Sequence, residues 1–482
     1  MVKTGIDCIA YYVPQLFLDI RALAEARGIE PDKLTKGLGL TAMGLCDADE
    51  DTATMAAMAA LSLIENNGID PRTVGRLYLG TESALDSAKP TATYVAGILE
   101  KALEGRYGER CLKNCDVLDM TFACVGGVDA LHNSLEWVRA EPSRRAIVLA
   151  ADFAKYALRS AGEYTQGAGA VAMLVAHEPR LCTVSGDFGV ATYSVGDFYK
   201  PHRAFDKRAL LAAALLAAGV NVDQTVLDGA LDKLAGNDFW GHEDVQVFLH
   251  RDEPVFDGPL SNDCYCDRLT EALADFSRKQ PLDVLADWDH LAFHQPYAYQ
   301  GRRMIVRNWV DWMEARGRLD EVEQQVGMKR AEAENPVDFY KAAAKTALYK
   351  AFVGERIERG EKASTLIGNM YTASIFMSLV SLLRSLYDQG TEAAGQTIGC
   401  LSYGSGSKSK VFALKIADKW REVIAGCDIF GDLSRRTEVD FATYEALHSG
   451  RQTMPVVPGK RISFAGTGST PTTEGLRSYR VE

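Results

Sequence analysis

Two stretches constrain the fold more than any others: "RRAIVLAADFA" (residues 144–154) and "GAGAVAMLVAHEP" (residues 167–179). Both are continuous apolar runs of strand length. A strand that is hydrophobic at nearly every position must be buried on both faces, so helices have to cover its sheet from both sides. The flanking segments supply those helices. "TATMAAMAALSLIENNGIDP" (52–71) reads as a small-residue helix ending in a turn. "VGRLYLGTES" (74–83) is a strand running into a glycine turn, and "CDVLDMTFA" (115–123) is another strand. A helix from Gly127 to about Ala140 follows, with Val128, Leu131, Leu135 and Val138 in one stripe and Pro142 beyond its end. Strand–helix–strand units of this kind predict an α/β fold.

The second part of the chain repeats the order of elements without repeating the sequence. "WDHLAFHQPY" (288–297) is a short strand, and "NMYTASIFMSLVSLLRSL" (369–386) is a helix with a long apolar face. "TIGCLSYGSGSKSKVFALKI" (397–416) is two strands joined by a glycine–serine turn. The expected architecture is two similar halves, residues 1–180 and 181–482. Two insertions interrupt the second half, near 203–250 and 310–365. The later one is charged and reads as a solvated helical face.

With 482 residues and 47% hydrophobic content the chain can build a large core. Its net charge of −12 disfavours nucleic acid and anionic membranes as partners. The N-terminal "MVKTGIDCIAYYVP" carries no secretory pattern, and the longest apolar run, "ALLAAALLAAG" (209–219), is too short to span a bilayer. The expectation is a cytoplasmic protein. Its ten cysteines are scattered, so free thiols are the default and no zinc-site spacing stands out.

One cysteine is placed differently. Cys124 lies where "LDMTFACVGGVDALHNSLEWV" (118–138) passes from strand to helix. There a thiol would face free backbone N–H groups and the positive end of a helix, which favours thiolate. The same N–H groups would hold an oxyanion. A packed core cysteine is the competing reading. Glu82 follows a strand at the same expected end of the sheet, where ligands gather. It is a candidate base or else a solvated turn acid. His294 ends a strand and is a donor to a substrate carbonyl or else a satisfied core histidine. Asn369 reads equally well as a helix N-cap. "YGSGS" (403–407) would present backbone N–H groups or form a plain hairpin turn.

Eight runs keep one order along the chain: "GTES" (80–83), "FACVGG" around Cys124, "GEYTQGAGAVAML" (162–174), "GDFYKP" (196–201), "DGPLSN" (257–262), "AFHQPY" (292–297), "GNMYTAS" (368–374) and "SYGSGS" (402–407). In these the chain resembles the 3-hydroxy-3-methylglutaryl-CoA synthase family of the thiolase superfamily, from about residue 4 to 415. The resemblance implies a five-layered αβαβα fold and a homodimer. It also implies condensation of acetyl-CoA with acetoacetyl-CoA in the mevalonate (isoprenoid) pathway, with no cofactor and no metal. Cys124 would be the acylated nucleophile, Glu82 the general base, and His294 the group that polarises the acceptor carbonyl. Asn369, Ser405, Asp152, Thr165, Asp197 and Ser261 fall on matching substrate-site positions.

Two departures stand out. Family members commonly carry Tyr after the nucleophile, where this chain has Val125. They commonly carry Lys near the CoA phosphates, where this chain has Tyr299 with Arg302 and Arg303 just beyond, a pair expected to take over phosphate contact. Three competing readings remain at this point: a polyketide β-branching relative fed by an acyl carrier protein, a ketoacyl-synthase-like enzyme, and a non-catalytic scaffold. The Glu82 motif disfavours the second and the Cys–Glu–His set the third.

Overall fold

In the computed structural model, which describes residues 3–241 and 245–482, nine strands hydrogen-bond into one sheet. They are β1 (Thr4–Tyr12), β2 (Arg76–Gly80), β3 (Asp116–Met120), β4 (Ala146–Ala154), β5 (Gly167–His177), β6 (Cys182–Thr192), β7 (His290–Phe293), β8 (Thr397–Gly404) and β9 (Lys408–Ile416). The spatial order is β7-β8-β9-β6-β1-β5-β4-β2-β3. The two largely apolar stretches are β4 and β5, which pair antiparallel from Ala146 opposite Val175 to Ala154 opposite Gly167 at the centre of the N-terminal part. β2 runs parallel to both β3 and β4, so the chain segments after β2 and β3 emerge at one end of the sheet.

The sheet has two parts joined at a narrow seam. Only Gly5↔Thr183 and Ile6↔Cys182 pair across β1 and β6. A Cβ at Gly5 would lie 2.1 Å from the Cys182 carbonyl oxygen, so glycine is what lets the strands meet. β1 and β6 are absent from the sequence-based expectation. Their sequences, "TGIDCIAYY" and "CTVSGDFGVAT", mix glycine and acidic residues with apolar ones, and tertiary pairing decides their state.

Helices α1 (Thr52–Asn66) and α2 (Thr91–Tyr107) pack on the N-terminal part. Asp51 caps α1 reciprocally with Thr54. Helix α3 (Gly126–Arg139) lies between the two parts of the sheet: Gly127 abuts Ala150 of β4, and His132 stacks on Phe188 of β6 at 3.9 Å. The next residue on β6, Gly189, turns to the other face and meets Ala272 and Phe276 of α4 (Gly258–Lys279). Helices α5 (Glu358–Ile367) and α6 (Ser374–Asp388) pack on each other, and α6 also meets β7 and β8. Outer helices, sheet, central helices, sheet and α4 give the thiolase-like five-layered α/β fold.

The 310–365 stretch differs from its reading as a solvated face. Phe339, Tyr349, Phe352, Val353 and Ile357 are buried there, in one cluster with Trp309 and Trp288. Charged residues outnumber these anchors in the sequence and mask their helical spacing. Residues 198–256 form a compact unit of their own. In it strands 203–206 and 246–249 pair antiparallel, and the Ala/Leu run is the helix Lys207–Ala217, capped by Asp206. Among the described residues no helix is long and apolar enough to cross a membrane.

Candidate active site

Glu82 is held by its backbone. The turn after β2 donates Thr81 Oγ1 and Glu82 N–H to Asp152 Oδ1, at 2.8 and 2.9 Å. Asp152, on β4, is fully buried, and its other oxygen accepts from Thr372 N at 3.0 Å and from the Thr372 hydroxyl. Burial pushes the Asp152 carboxyl up, while hydrogen bonds from Thr372 and Thr81 pull it down. This residue was expected to contact substrate. With protein donors on both oxygens it instead ties the Glu82 turn to the 371–373 turn.

Cys124 sits on a strained turn. Ala123 has φ +38°, a left-handed conformation that alanine avoids, of order 1–3 kcal/mol in cost. Val125 N–H donates to Phe122 O at 3.1 Å and Gly126 N–H to Ala123 O at 3.2 Å. Those amides were expected to be free for an oxyanion, but the turn uses them. The turn brings the buried Cys124 Sγ to 3.0 Å from Glu82 Oε1, to which the thiol donates. The glycine–serine turn leans on it: a Cβ at Gly404 would lie 2.8 Å from both Phe122 O and Val125 N. Asp197, fully buried, fixes that second turn by accepting from Tyr403 OH at 2.7 Å and Gly406 N–H at 2.8 Å. It too holds a turn, where contact with substrate was expected. Ser405 lies at the tip between Gly404 and Gly406.

His294 follows β7 and is 1% exposed. Burial pushes its imidazole down to about 3, with a hydrogen bond to the Tyr371 backbone acting the other way, so the ring is neutral near pH 7. Its Nδ1 is buried with no hydrogen-bond partner among the described residues. Tyr265 OH donates to the His294 carbonyl at 2.9 Å from α4. Ser261 stands one helical turn before Tyr265, half-buried, and no described contact brings it to Cys124. Asn369 Oδ1 accepts from Tyr371 N–H at 2.8 Å and from Ser374 Oγ at 3.2 Å. It therefore caps the short 371–373 turn that precedes α6, and α6 itself begins at Ser374. Its own N–H donates to Thr165 O at 2.9 Å, a backbone bond that joins those two segments.

Two tyrosines of this group were not singled out from sequence. Burial raises the phenols of Tyr156 and Tyr371, and the charges of Cys124 and Glu82 raise both further. Their rings are 6.5 Å apart, and Tyr371 is another left-handed residue, with φ +41°. Tyr371 lies inside the "GNMYTAS" run and Tyr156 four residues after Asp152, which is the signal available in the sequence.

The arginine pair divides. Arg302 is bound bidentately by the buried Glu361 and stacks on Tyr299 at 3.9 Å, so it is committed to the protein. It lines a cavity of about 430 Å³ beside α5 and α6. Its expected phosphate role is corrected on that ground. Arg303 is exposed and reaches Gly37 O at 2.6 Å and Tyr297 OH at 3.2 Å. Among the described residues no group of His, Cys, Asp and Glu is placed to hold a metal ion.

Nearly the whole chain is similar to known proteins. Residues 2–179 match the family described as hydroxymethylglutaryl-coenzyme A synthase N terminal, and residues 247–456 match its C-terminal counterpart. The chain belongs to the hydroxymethylglutaryl-CoA synthase family. A relative from Haloferax volcanii named hydroxymethylglutaryl-CoA synthase is 29% identical over 460 residues, covering 93% of this chain and 92% of its own length. One of the same name from Enterococcus faecalis is 29% identical, with 92% and 91% covered. A solved structure of MvaS in complex with 3-hydroxy-3-methylglutaryl coenzyme A superposes with a TM-score of 0.74 at 27% identity, over all of this chain and 99% of that one. The curacin-pathway HMG synthase shares the fold at TM-score 0.70 and 21% identity over both full chains.

The neutral His294 gives a pH prediction for this family member. Its folded pKa of about 3 lies below the ordinary 6.5, so the unfolded chain gains a proton that the native state refuses. Stability contributed by the neutral ring is therefore present above about pH 6.5 and is lost on acidification toward pH 3, by up to about 1.4 kcal/mol per unit. Urea unfolding of wild type and His294→Asn across this range should show a shallower slope for the variant. Equal slopes would remove the assignment.

Proposed function

We propose that the chain is a hydroxymethylglutaryl-CoA synthase that joins acetyl-CoA to acetoacetyl-CoA through an acetyl thioester on Cys124. The contact of 3.0 Å between Cys124 Sγ and Glu82 Oε1 carries this reading. The cysteine thiolate attacks the acetyl carbonyl, the acyl–sulfur bond of acetyl-CoA breaks, and CoA leaves as a thiolate that takes up the proton the Cys124 thiol released. The tetrahedral oxyanion develops where the nucleophile turn meets the glycine–serine turn, and Ser405 at its tip supplies a donor there. Glu82, beside the thioester, then takes a proton from the acetyl methyl, and the carbanion attacks the ketone carbon of the acceptor. His294, neutral and buried, stands at the acceptor's carbonyl and polarises it, while Tyr156 and Tyr371 flank Cys124 and Glu82. Water finally cleaves the thioester, releasing product and free Cys124. No step requires a metal or cofactor.

The free thiols suit a reducing compartment such as the cytoplasm. Edge strand β3 has one unpaired side and an exposed Leu118, a surface fitted to a second copy of the chain. Light scattering that finds a single chain in solution would remove that dimer. A carrier-protein-fed polyketide enzyme is the second reading. The relatives named for CoA, near 29% identity over almost the whole chain, favour CoA as donor and with it the mevalonate pathway.

Intact mass after acetyl-CoA should show one acetyl group on wild type and none on Cys124→Ala. Glu82→Gln should still acetylate yet condense about 10²–10⁴-fold more slowly. Near-normal condensation by Glu82→Gln would make Glu82 a bystander, and acetylation only from an acetyl carrier protein would favour the second reading.

Arg303 sits beside the helix of residues 31–38, which carries an exposed Lys33 and a Lys36 paired with Asp32 at 2.7 Å, and this surface is fitted to CoA phosphates. Arg303→Ala should raise KM for both thioesters about tenfold with little change in kcat, as expected for loss of one charge-assisted contact. An unchanged KM and unchanged salt dependence would move the phosphates elsewhere.

A further inference from the structure

Three charged side chains meet beside the nucleophile's helix, and the catalytic reading makes no use of them. Lys408 Nζ donates to Asp129 Oδ2 at 2.5 Å and Lys410 Nζ to Asp129 Oδ1 at 2.7 Å. All three side chains are 14% exposed or less. Asp129 is on the first turn of α3, where its N–H donates to Val125 O, and the lysines lie at the start of β9, directly after the glycine–serine turn. Lys410 also donates to His132 Nδ1 at 3.0 Å. Burial and the neighbouring Lys410 hold His132 down at about 4, so that imidazole is neutral. Glu136 and Arg139, farther along α3, neutralise each other at 2.5 Å.

Two ammonium groups and one carboxylate leave one net positive charge, poorly screened, on the first turn of α3. Lys408 also stands 3.9 Å over the ring of Phe122, the residue two before Cys124. The same side chain thus touches the nucleophile turn, the helix that follows it and, through the backbone, the glycine–serine turn. Breaking a mostly buried ion pair leaves an uncompensated charge and costs several kcal/mol in fully buried cases, so the arrangement is rigid.

We propose that Lys408, Lys410 and Asp129 are positioning residues for Cys124, which brace its turn against the glycine–serine turn and place a net positive charge that favours the thiolate. The proposal rests on Cys124 being the nucleophile. The thiol is also faced by Glu82 and by the phenols of Tyr156, Tyr371 and Tyr265. Those groups are anionic or neutral near pH 7, and Lys408, 3.9 Å over the Phe122 ring, is a cation held against the same turn.

The test is the pH midpoint of Cys124 alkylation by iodoacetamide in the full chain, followed on the Cys124 peptide by mass spectrometry. Lys408→Met and Lys410→Met should each raise the midpoint by about half a pH unit or more, as loss of a unit charge does across a half-buried site. Lys408→Arg should restore the wild-type midpoint. Asp129→Asn leaves two cations and should lower it. A purely structural role moves Lys408→Met and Asp129→Asn in the same direction. That outcome overturns the proposal, as does an unmoved midpoint in Lys408→Met and Lys410→Met. If Asp129→Asn does not fold, the two lysine variants and the arginine rescue decide alone. Wild type that never acetylates would refute the catalytic reading, while the alkylation midpoint still tests the charge.

Discussion

The site depends on one buried carboxylate. Asp152 stands near the end of the otherwise apolar strand β4 and is fully buried. Its oxygens must therefore be satisfied by protein, and the donors at hand are Thr81, Glu82 N–H and Thr372. Because those donors belong to two loops distant in sequence, satisfying Asp152 fixes the catalytic base and the 371–373 turn together. That turn in turn carries Tyr371, whose backbone meets the His294 ring. An asparagine at 152 would retain the shape but turn one acceptor into a donor against Thr372, so the network would fail on hydrogen-bond sign and not on packing.

Burial then sets the chemistry. The same low dielectric that makes Asp152 demanding keeps His294 neutral and the surrounding phenols protonated. A neutral imidazole adds no positive charge that would quench the Glu82 carboxylate. The fold supplies the geometry for free: parallel strands β2 and β3 end in register, Gly80 opposite Met120, and the loops beyond them hold Glu82 and Cys124. Gly80 is where strand meets helix, since a Cβ there would fall 2.2 Å from Gly127 N.

Much of this was legible in the sequence. Strands 146–154 and 167–177 announce themselves because burial on both faces leaves them apolar at nearly every position, Asp152 being the buried exception. The cysteine and the glutamate were legible as residues at strand ends, and the structure brings them into contact. The seam strands β1 and β6 were not, because their pairing partners, and not their own pattern, make them strands. Arg302 misled for a related reason. A cation near the expected phosphate site reads the same whether or not a carboxylate 59 positions away, Glu361, has already claimed it. Asp152 and Asp197 likewise matched the right motifs, but their burial and partners belong to the tertiary structure alone.

The valine after the nucleophile has a steric answer. Val125 is fully buried, and its Cγ1 would lie 2.9 Å from a Cβ placed on Gly404. Its side chain fills the seam between the nucleophile turn and the glycine–serine turn, so it faces packing and not the acyl pocket. A tyrosine grown from the same Cα would have to displace Gly404 or leave that seam open, either of which shifts the Cys124 turn relative to Ser405. Phenols nonetheless reach the pocket from two other elements, Tyr156 after β4 and Tyr371 before α6, both coupled to the charges of Cys124 and Glu82. The chain thus separates two tasks here: an aliphatic residue closes the contact between turns, and tyrosines, Tyr371 beside the Asp152-bound Thr372 and Tyr156 held by its N–H to Gln166 Oε1 at 2.7 Å, stand by Cys124 and Glu82.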